Sequence, residues 1–376
     1  MKPGQNPFPL HATSREAQFI DRSAAIQALN ESLKTGKTVL VSGRKGAGKS
    51  TLIRQWEIGM ENSKGAGILI ADCYPSLTEE EWLRSITRQL LSGIDPSQVK
   101  TIRELASSLT FMHPLVRYES FSGKAVLDFT LDSDYKPALC LEQLFTYISR
   151  TLNPKAIVLD GLQQLGTFRG SDTLSHLKQA ITGSPKTQFV FCADEGLQLK
   201  QIRERNQMPV DVSILVDVVL DQCGEEILST YFEKGFSNEK RKLSREAIEH
   251  LMDWCRMDLS ATVQLAHRLF SGGQKLIDEW TLQEVLREMQ QEREAFYYTY
   301  RDLLTDNQWI LLRGIARERG AKMVMGSEFI RKNGLGTPSS VQTAMAALQE
   351  KSLIYEEEGK WWVCDVIFSR WLEEAG

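Results

Sequence analysis

The stretch TVLVSGRKGAGKSTLIRQW, Thr38–Trp56, decides the fold. Its first six residues are an apolar run closed by Gly43, the pattern of a short buried strand. From Ser50 onward, apolar residues return at helical spacing. Between the two lies Gly43-x-x-x-x-Gly48-Lys49-Ser50, the spacing of a phosphate-binding loop. Glycines there let backbone N–H groups turn inward without a Cβ in the way. Lys49 supplies a point charge for β- and γ-phosphates, and Ser50 a hydroxyl for Mg²⁺. The helix that follows adds its positive N-terminal end. The phosphate contacts are therefore expected from Gly43, Arg44, Lys45, Gly46, Ala47, Gly48, Lys49, Ser50 and Thr51. The bland alternative is a glycine-rich turn with accidental spacing. It gives no reason for a strand before the loop and a helix after it.

Working outward, AIVLD ends in Asp160 after four apolar residues. A strand-end carboxylate is how such loops gain a second Mg²⁺ contact. Lys49 and Asp160 are thus the expected catalytic pair, and Ser50 and Asp160 the metal contacts. A turn-capping Asp is the alternative. GILIADC, TQFVFCADE and VSILVDVVLD read as further strands, with helical patterns between them. Alternation of this kind predicts an α/β three-layer αβα domain with a mostly parallel sheet. VRYESFSGKAVLDFTL reads as a hairpin turning at Ser122–Gly123. Residues 1–18 are Pro-rich and polar, and a loosely held leader is expected there.

After Asp221 the pattern becomes helical throughout. From Thr305 three helices, a strand pair turning at Glu358–Gly359 and a last helix give the winged-helix arrangement. The expected domains are 1–221 for the phosphate-binding domain, 222–304 for a helical lid and 305–376 for the winged helix. AFYYTYRDLL places aromatics between the last two, for packing. Trp361 and Trp362 lie on the wing's return strand, where one ring should face the core and the next solvent.

The chain has 376 residues, 42% hydrophobic and 25% charged, with net charge −4. This argues against a molecule built wholly around nucleic acid. Six scattered cysteines show no C-x-x-C spacing and suit buried thiols in a reducing compartment. His11, His113, His176, His250 and His267 show no ligand spacing. No run approaches the ~18 apolar residues of a membrane span, and no signal peptide stands at the start. A cytoplasmic protein is expected.

With these residues in place, the chain resembles the archaeal-type AAA+ ATPases, near the STAND nucleotide switches. Phe19–Arg22 (FIDR) is similar to their entry motif and GRKGAGKSTL to their Walker A loop. LDGLQ, Leu159–Gln163, is similar to their Walker B strand, and VQTAMAALQEKSLI with WWVCDVIFSRWL to their winged-helix ending. The resemblance implies ATP and Mg²⁺ as cofactors, ATP/ADP exchange and a lid that moves with nucleotide state. Three departures stand out. Gly161 replaces the glutamate that orients the attacking water. FCADE lacks the usual small polar sensor, leaving Cys192 or Asp194 to act. MDLSATVQLA lacks the lid's G-x-P. Either slow hydrolysis or the use of another carboxylate is therefore expected. Asp72 and Glu195 are the candidates, and for each the plainer reading, an ordinary solvated strand-end acid, is favoured.

Arg203 and Arg205 stand where relatives place an arginine finger for a neighbouring subunit, which would call for a homo-oligomer. A solvated arginine is the plainer reading. From Thr305 to Gly376, nine Lys/Arg face ten Asp/Glu, and the wing carries Glu356, Glu357 and Glu358. Duplex DNA at Ser339, Ser340, Gln342 and Thr343 is one expectation, and a protein partner the favoured one. The reading is an ATP-binding switch with weak turnover. Its alternatives are a DNA-binding regulatory ATPase and a nucleotide-independent adaptor.

Overall fold

The computed structural model describes residues 6–10, 20–61, 67–184, 187–221, 223–237 and 240–374. Phe19, His11 and most of the leader lie outside them. Two compact units emerge. One comprises Arg22–Arg44 and Lys49–Leu220. The other comprises Asp221–Gly376, with the loop tip Lys45–Gly48 and the described N-terminal residues.

In the first unit the strands are β1 (Thr38–Gly43), β2 (Ile68–Asp72), β3 (Met112–Tyr118), β4 (Ala125–Leu131), β5 (Ala156–Asp160), β6 (Phe189–Asp194) and β7 (Leu215–Leu220). Five form one sheet, in the order β2-β5-β6-β1-β7, with every pairing parallel. β1 is buried along its whole length, as its continuous apolar run requires for a strand covered on both faces. At the edge, β7 leaves Asp217 and Val219 exposed and buries Val218 and Leu220. Parallel pairing sends the carboxyl ends of β1, β2, β5 and β6 to one edge, where ligands of open α/β sheets bind.

β3 and β4 form a separate antiparallel hairpin. Its turn includes Gly123 at φ 65°, and Phe121 is fully exposed near the tip. The helix Val99–Ser108 before it buries only Leu105.

The second unit begins with helices Glu225–Ser237, Arg245–Cys255, Leu259–Ser271 and Glu279–Leu303. Ser244, Asp258 and Asp278 cap the last three by accepting from Ala247, Ala261 and Thr281 N–H. Two short strands, β8 (Lys242–Leu243) and β9 (Leu276–Ile277), pair in parallel. The winged helix follows: helices Asp306–Arg317, Ser327–Asn333 and Pro338–Glu350, the wing β10 (Ile354–Glu357) and β11 (Lys360–Val363), then Val366–Glu374. Glu358 (φ 51°) and Gly359 (φ 72°) make the tight turn that the sequence marks. Tyr297 is buried with its ring 4.8 Å from Phe368 and 5.3 Å from Trp371, which accounts for the aromatic run.

Two expectations need correction. The leader is not loosely held at residues 6–10. Phe8 is fully buried among Tyr231, Phe232, Phe236 and Phe270. His267 Nδ1 lies 2.7 Å from its carbonyl. Nor does either wing tryptophan face open solvent, since both are half-buried. The Arg256 guanidinium lies 5.1 Å from the Trp362 ring centre, so a cation covers the face that strand alternation leaves outward.

Candidate phosphate-binding site

The loop between β1 and the helix Lys49–Glu61 takes its shape from two glycines. Gly46 and Gly48 have φ of 85° and 88°, where a side chain is strained. Within the second unit, a Cβ on Gly48 would lie 2.9 Å from the Leu259 side chain, and one on Gly46 3.0 Å from Ser260 Cβ. Arg44, Ala47 and the two glycines are partly buried, whereas Lys45, Ser50 and Thr51 are exposed.

Lys49 is only 7% exposed. Its ammonium donates to the Gly43 carbonyl at 2.9 Å and the Arg44 carbonyl at 2.8 Å. It also pairs with Asp194 Oδ1 at 2.6 Å. The Ser50 hydroxyl donates to Asp160 Oδ2 at 2.7 Å, although the two are 110 residues apart. Burial pushes the Asp160 carboxyl above the usual range. Asp72 and Asp194 add to that shift, while the Ser50 hydroxyl and Lys49 oppose it.

Asp194, not Cys192, is therefore the β6 residue beside the loop lysine. Cys192 lies one strand repeat deeper and is fully buried, and that burial pushes its thiol well up. Gln163 fixes Asp194 twice: its amide donates to Asp194 Oδ2 at 3.3 Å, and its carbonyl accepts Asp194 N–H at 3.1 Å. No sequence pattern marks this role of Gln163, because it depends on how β5 and β6 sit side by side. Glu195 is exposed, and its N–H donates to the Gly43 carbonyl. Arg203 pairs with Asp217 of its own chain at 3.0 Å, and Arg205 is exposed.

The donor set fits a magnesium nucleotide. Mg²⁺ usually takes one or two carboxylates together with phosphate oxygens and water, rather than an all-protein cage. Ser50 and Asp160 offer that much. Among the described residues, no three His, Cys, Asp or Glu side chains gather as a closed metal site.

Comparison with known proteins agrees with this architecture. A probable winged helix domain model matches residues 295–374. No curated protein matches the chain. Among solved structures, the Walker-type ATPase PABY2304 of Pyrococcus abyssi superposes with TM-score 0.67 at 15% identity, covering 97% of this chain and 99% of its own. The Aeropyrum pernix ORC1 protein, solved in complex with DNA, gives 0.53 at 13% identity, with 95% and 93% covered. The Aeropyrum pernix ORC2 protein, in ADPNP–ADP complexes, gives 0.51 at 12%, with 93% and 92% covered. The chain has the fold of an archaeal-type AAA+ P-loop ATPase with a C-terminal winged helix.

Proposed function

We propose that the protein is an ATP-binding molecular switch with slow hydrolysis. The observation that carries this is the 2.7 Å hydrogen bond from Ser50 to Asp160, beside a lysine held inside a glycine-shaped loop. The ADPNP–ADP complexes of the similarly folded ORC2 protein support nucleotide binding by this fold. Backbone N–H groups from Arg44 to Ser50 would face the phosphates, with Gly43 and Thr51 at the loop's ends. Ser50 and Asp160 would hold Mg²⁺, which when bound neutralises phosphate charge. Lys49 would exchange Asp194 for a phosphate oxygen. Asp194 would thus report on the terminal phosphate by losing its partner.

In this reading, residues 1–221 bind nucleotide, 222–304 are the lid and 305–376 the output module. Gly161 leaves no side chain after Asp160, so turnover below ~1 per second is expected. Titration calorimetry tests the core of the proposal. The wild-type chain should bind Mg-ATP, and Lys49→Ala should lose that binding. No heat from the wild type would return the chain to the nucleotide-independent adaptor.

A further inference from the structure

We infer that Asp72, at the end of the strand beside Asp160, is the carboxylate that positions the attacking water. This deepens the nucleotide reading and rests on it. The residue after Asp160 is not an interchangeable position that happens to hold glycine. Gly161 has φ 88°, so any side chain there would be strained. The space that side chain would enter is already bordered by a neighbour. A Cβ on Gly161 would stand 3.5 Å from Tyr74 N, 3.7 Å from Cys73 Cβ and 3.9 Å from Asp72 Oδ1, so the turn that follows Asp72, with its carboxylate, borders that space. Asp72 and Asp160 are register partners on adjacent parallel strands, so both carboxylates reach the same sheet edge. The fold thus supplies from the side the acid that it cannot supply from the next residue.

Asp72 is also held in place. The Gln89 side chain accepts its N–H at 2.8 Å and donates to its carbonyl at 3.0 Å. A third bond from Gln89, to Ser85 Oγ, steadies the amide. Asp72 Oδ1 accepts from Tyr74 N–H at 2.8 Å, while the residue stays exposed to water. A pinned carboxylate open to water is what orientation of a nucleophile requires. Among the described residues, no side chain braces the backbone of Glu195, the other candidate, in this way; its N–H donates to the Gly43 carbonyl.

In the step itself, the water oxygen forms a bond to the γ-phosphorus as the bond to the β–γ bridging oxygen breaks. Asp72 accepts one water proton and passes it to solvent. ADP and inorganic phosphate are the products.

The test compares the full-length wild type with Asp72→Asn and Asp72→Glu. Asp72→Asn should bind Mg-ATP within about threefold of wild type and melt at the same temperature, because positioning acts after binding. Its turnover should fall by ~10²-fold or more. Calorimetry should show that it loses the Mg-ADP–aluminium fluoride complex, which imitates the transferring phosphoryl group. The purified variant should retain ATP over ADP by mass analysis. Asp72→Glu should recover part of the turnover. Unchanged aluminium fluoride binding and turnover in Asp72→Asn would overturn the inference. So would loss of ATP binding in that variant, since Asp72 would then belong to ground-state binding. A wild type that binds no ATP would remove the nucleotide reading and this inference together.

Discussion

A Cβ on Gly235 would lie 2.3 Å from the Phe8 ring, so the N-terminal segment and the helix Glu225–Ser237 fit only because this helix carries no side chain there. Asn6 strengthens the contact by donating to the His267 carbonyl at 2.9 Å. Phe8→Ala should therefore destabilise the second unit by about 3–5 kcal/mol, the usual cost of emptying a buried aromatic site. Urea unfolding followed by tryptophan fluorescence would show it, and a loss under ~1 kcal/mol would mean the ring is replaceable by solvent. A second single residue acts in the opposite direction. The Asp160 carboxyl is raised by burial, so the folded state holds a proton there more tightly than the unfolded chain does. The stability it contributes is present at low pH and lost as pH rises through the folded value. At neutral pH its charge thus weakens the nucleotide-free fold. Asp160→Asn should stabilise that form by about 0.5–2 kcal/mol, the usual range for a single stabilising substitution. The same variant should bind Mg-ATP less tightly, and thermal melts with and without Mg-ATP would separate the two effects.

Among elements, the closing helix Val366–Glu374 depends on one buried cation. Arg370 is 4% exposed and donates to the Trp254 carbonyl at 3.0 Å and the Asp253 carbonyl at 2.8 Å. It also pairs with Glu373 at 3.2 Å. The winged helix is thereby tied to the end of helix Arg245–Cys255. Removing a buried donor typically costs ~1–3 kcal/mol for each acceptor left unsatisfied, and without Arg370 the Trp254 and Asp253 carbonyls both lose theirs while Glu373 keeps Arg319. Arg370→Ala should lose about that much, and Arg370→Lys should recover little, since an ammonium cannot span both carbonyls and the carboxylate. Differential scanning calorimetry would check this, and an unchanged melt would refute it. Such ties mark where the sequence stops being readable. The strands of the sheet and the residues Ser50 and Asp160 are legible in local pattern, because an apolar run, a glycine spacing and a terminal acid each sit within a few residues, whereas the strand order β2-β5-β6-β1-β7 is not. Asp194 on Lys49, Gln163 on Asp194 and Asp72 beside Gly161 depend on which strands are neighbours and on their register. Phe8 and Arg370 depend on packing between segments more than a hundred residues apart, which no periodicity encodes.

On the scale of the whole molecule, charge bears on which partner the winged helix would accept. The chain carries 45 Lys/Arg against 49 Asp/Glu. Within the module, Arg319 pairs with Glu373 at 2.8 Å and Lys332 with Glu318 at 2.9 Å, and Arg370 is buried. At least three of its nine basic residues are thus committed internally. The helix Pro338–Glu350 presents Ser339 and Thr343, but the wing beside it presents Glu356, Glu357 and Glu358. The groove between helix and wing is lined by Met323, Met325, Met345 and Trp361, an apolar surface rather than a phosphate track. Backbone neutralisation supplies essentially all non-specific DNA affinity, with each phosphate contact adding ~0.9 to the salt slope. The ORC1 structure shows that a protein of this fold is found on DNA, so fold alone does not settle the matter. The expected outcome is that a duplex of about 30 base pairs is not shifted by micromolar protein at ~150 mM salt, with or without Mg-ATP. A shift that weakens steeply between about 50 and 200 mM salt would reverse this and make the module a DNA reader. If that shift also required Mg-ATP and disappeared in Lys49→Ala, nucleotide and DNA binding would be coupled, and the regulatory-ATPase alternative would replace the protein-partner reading.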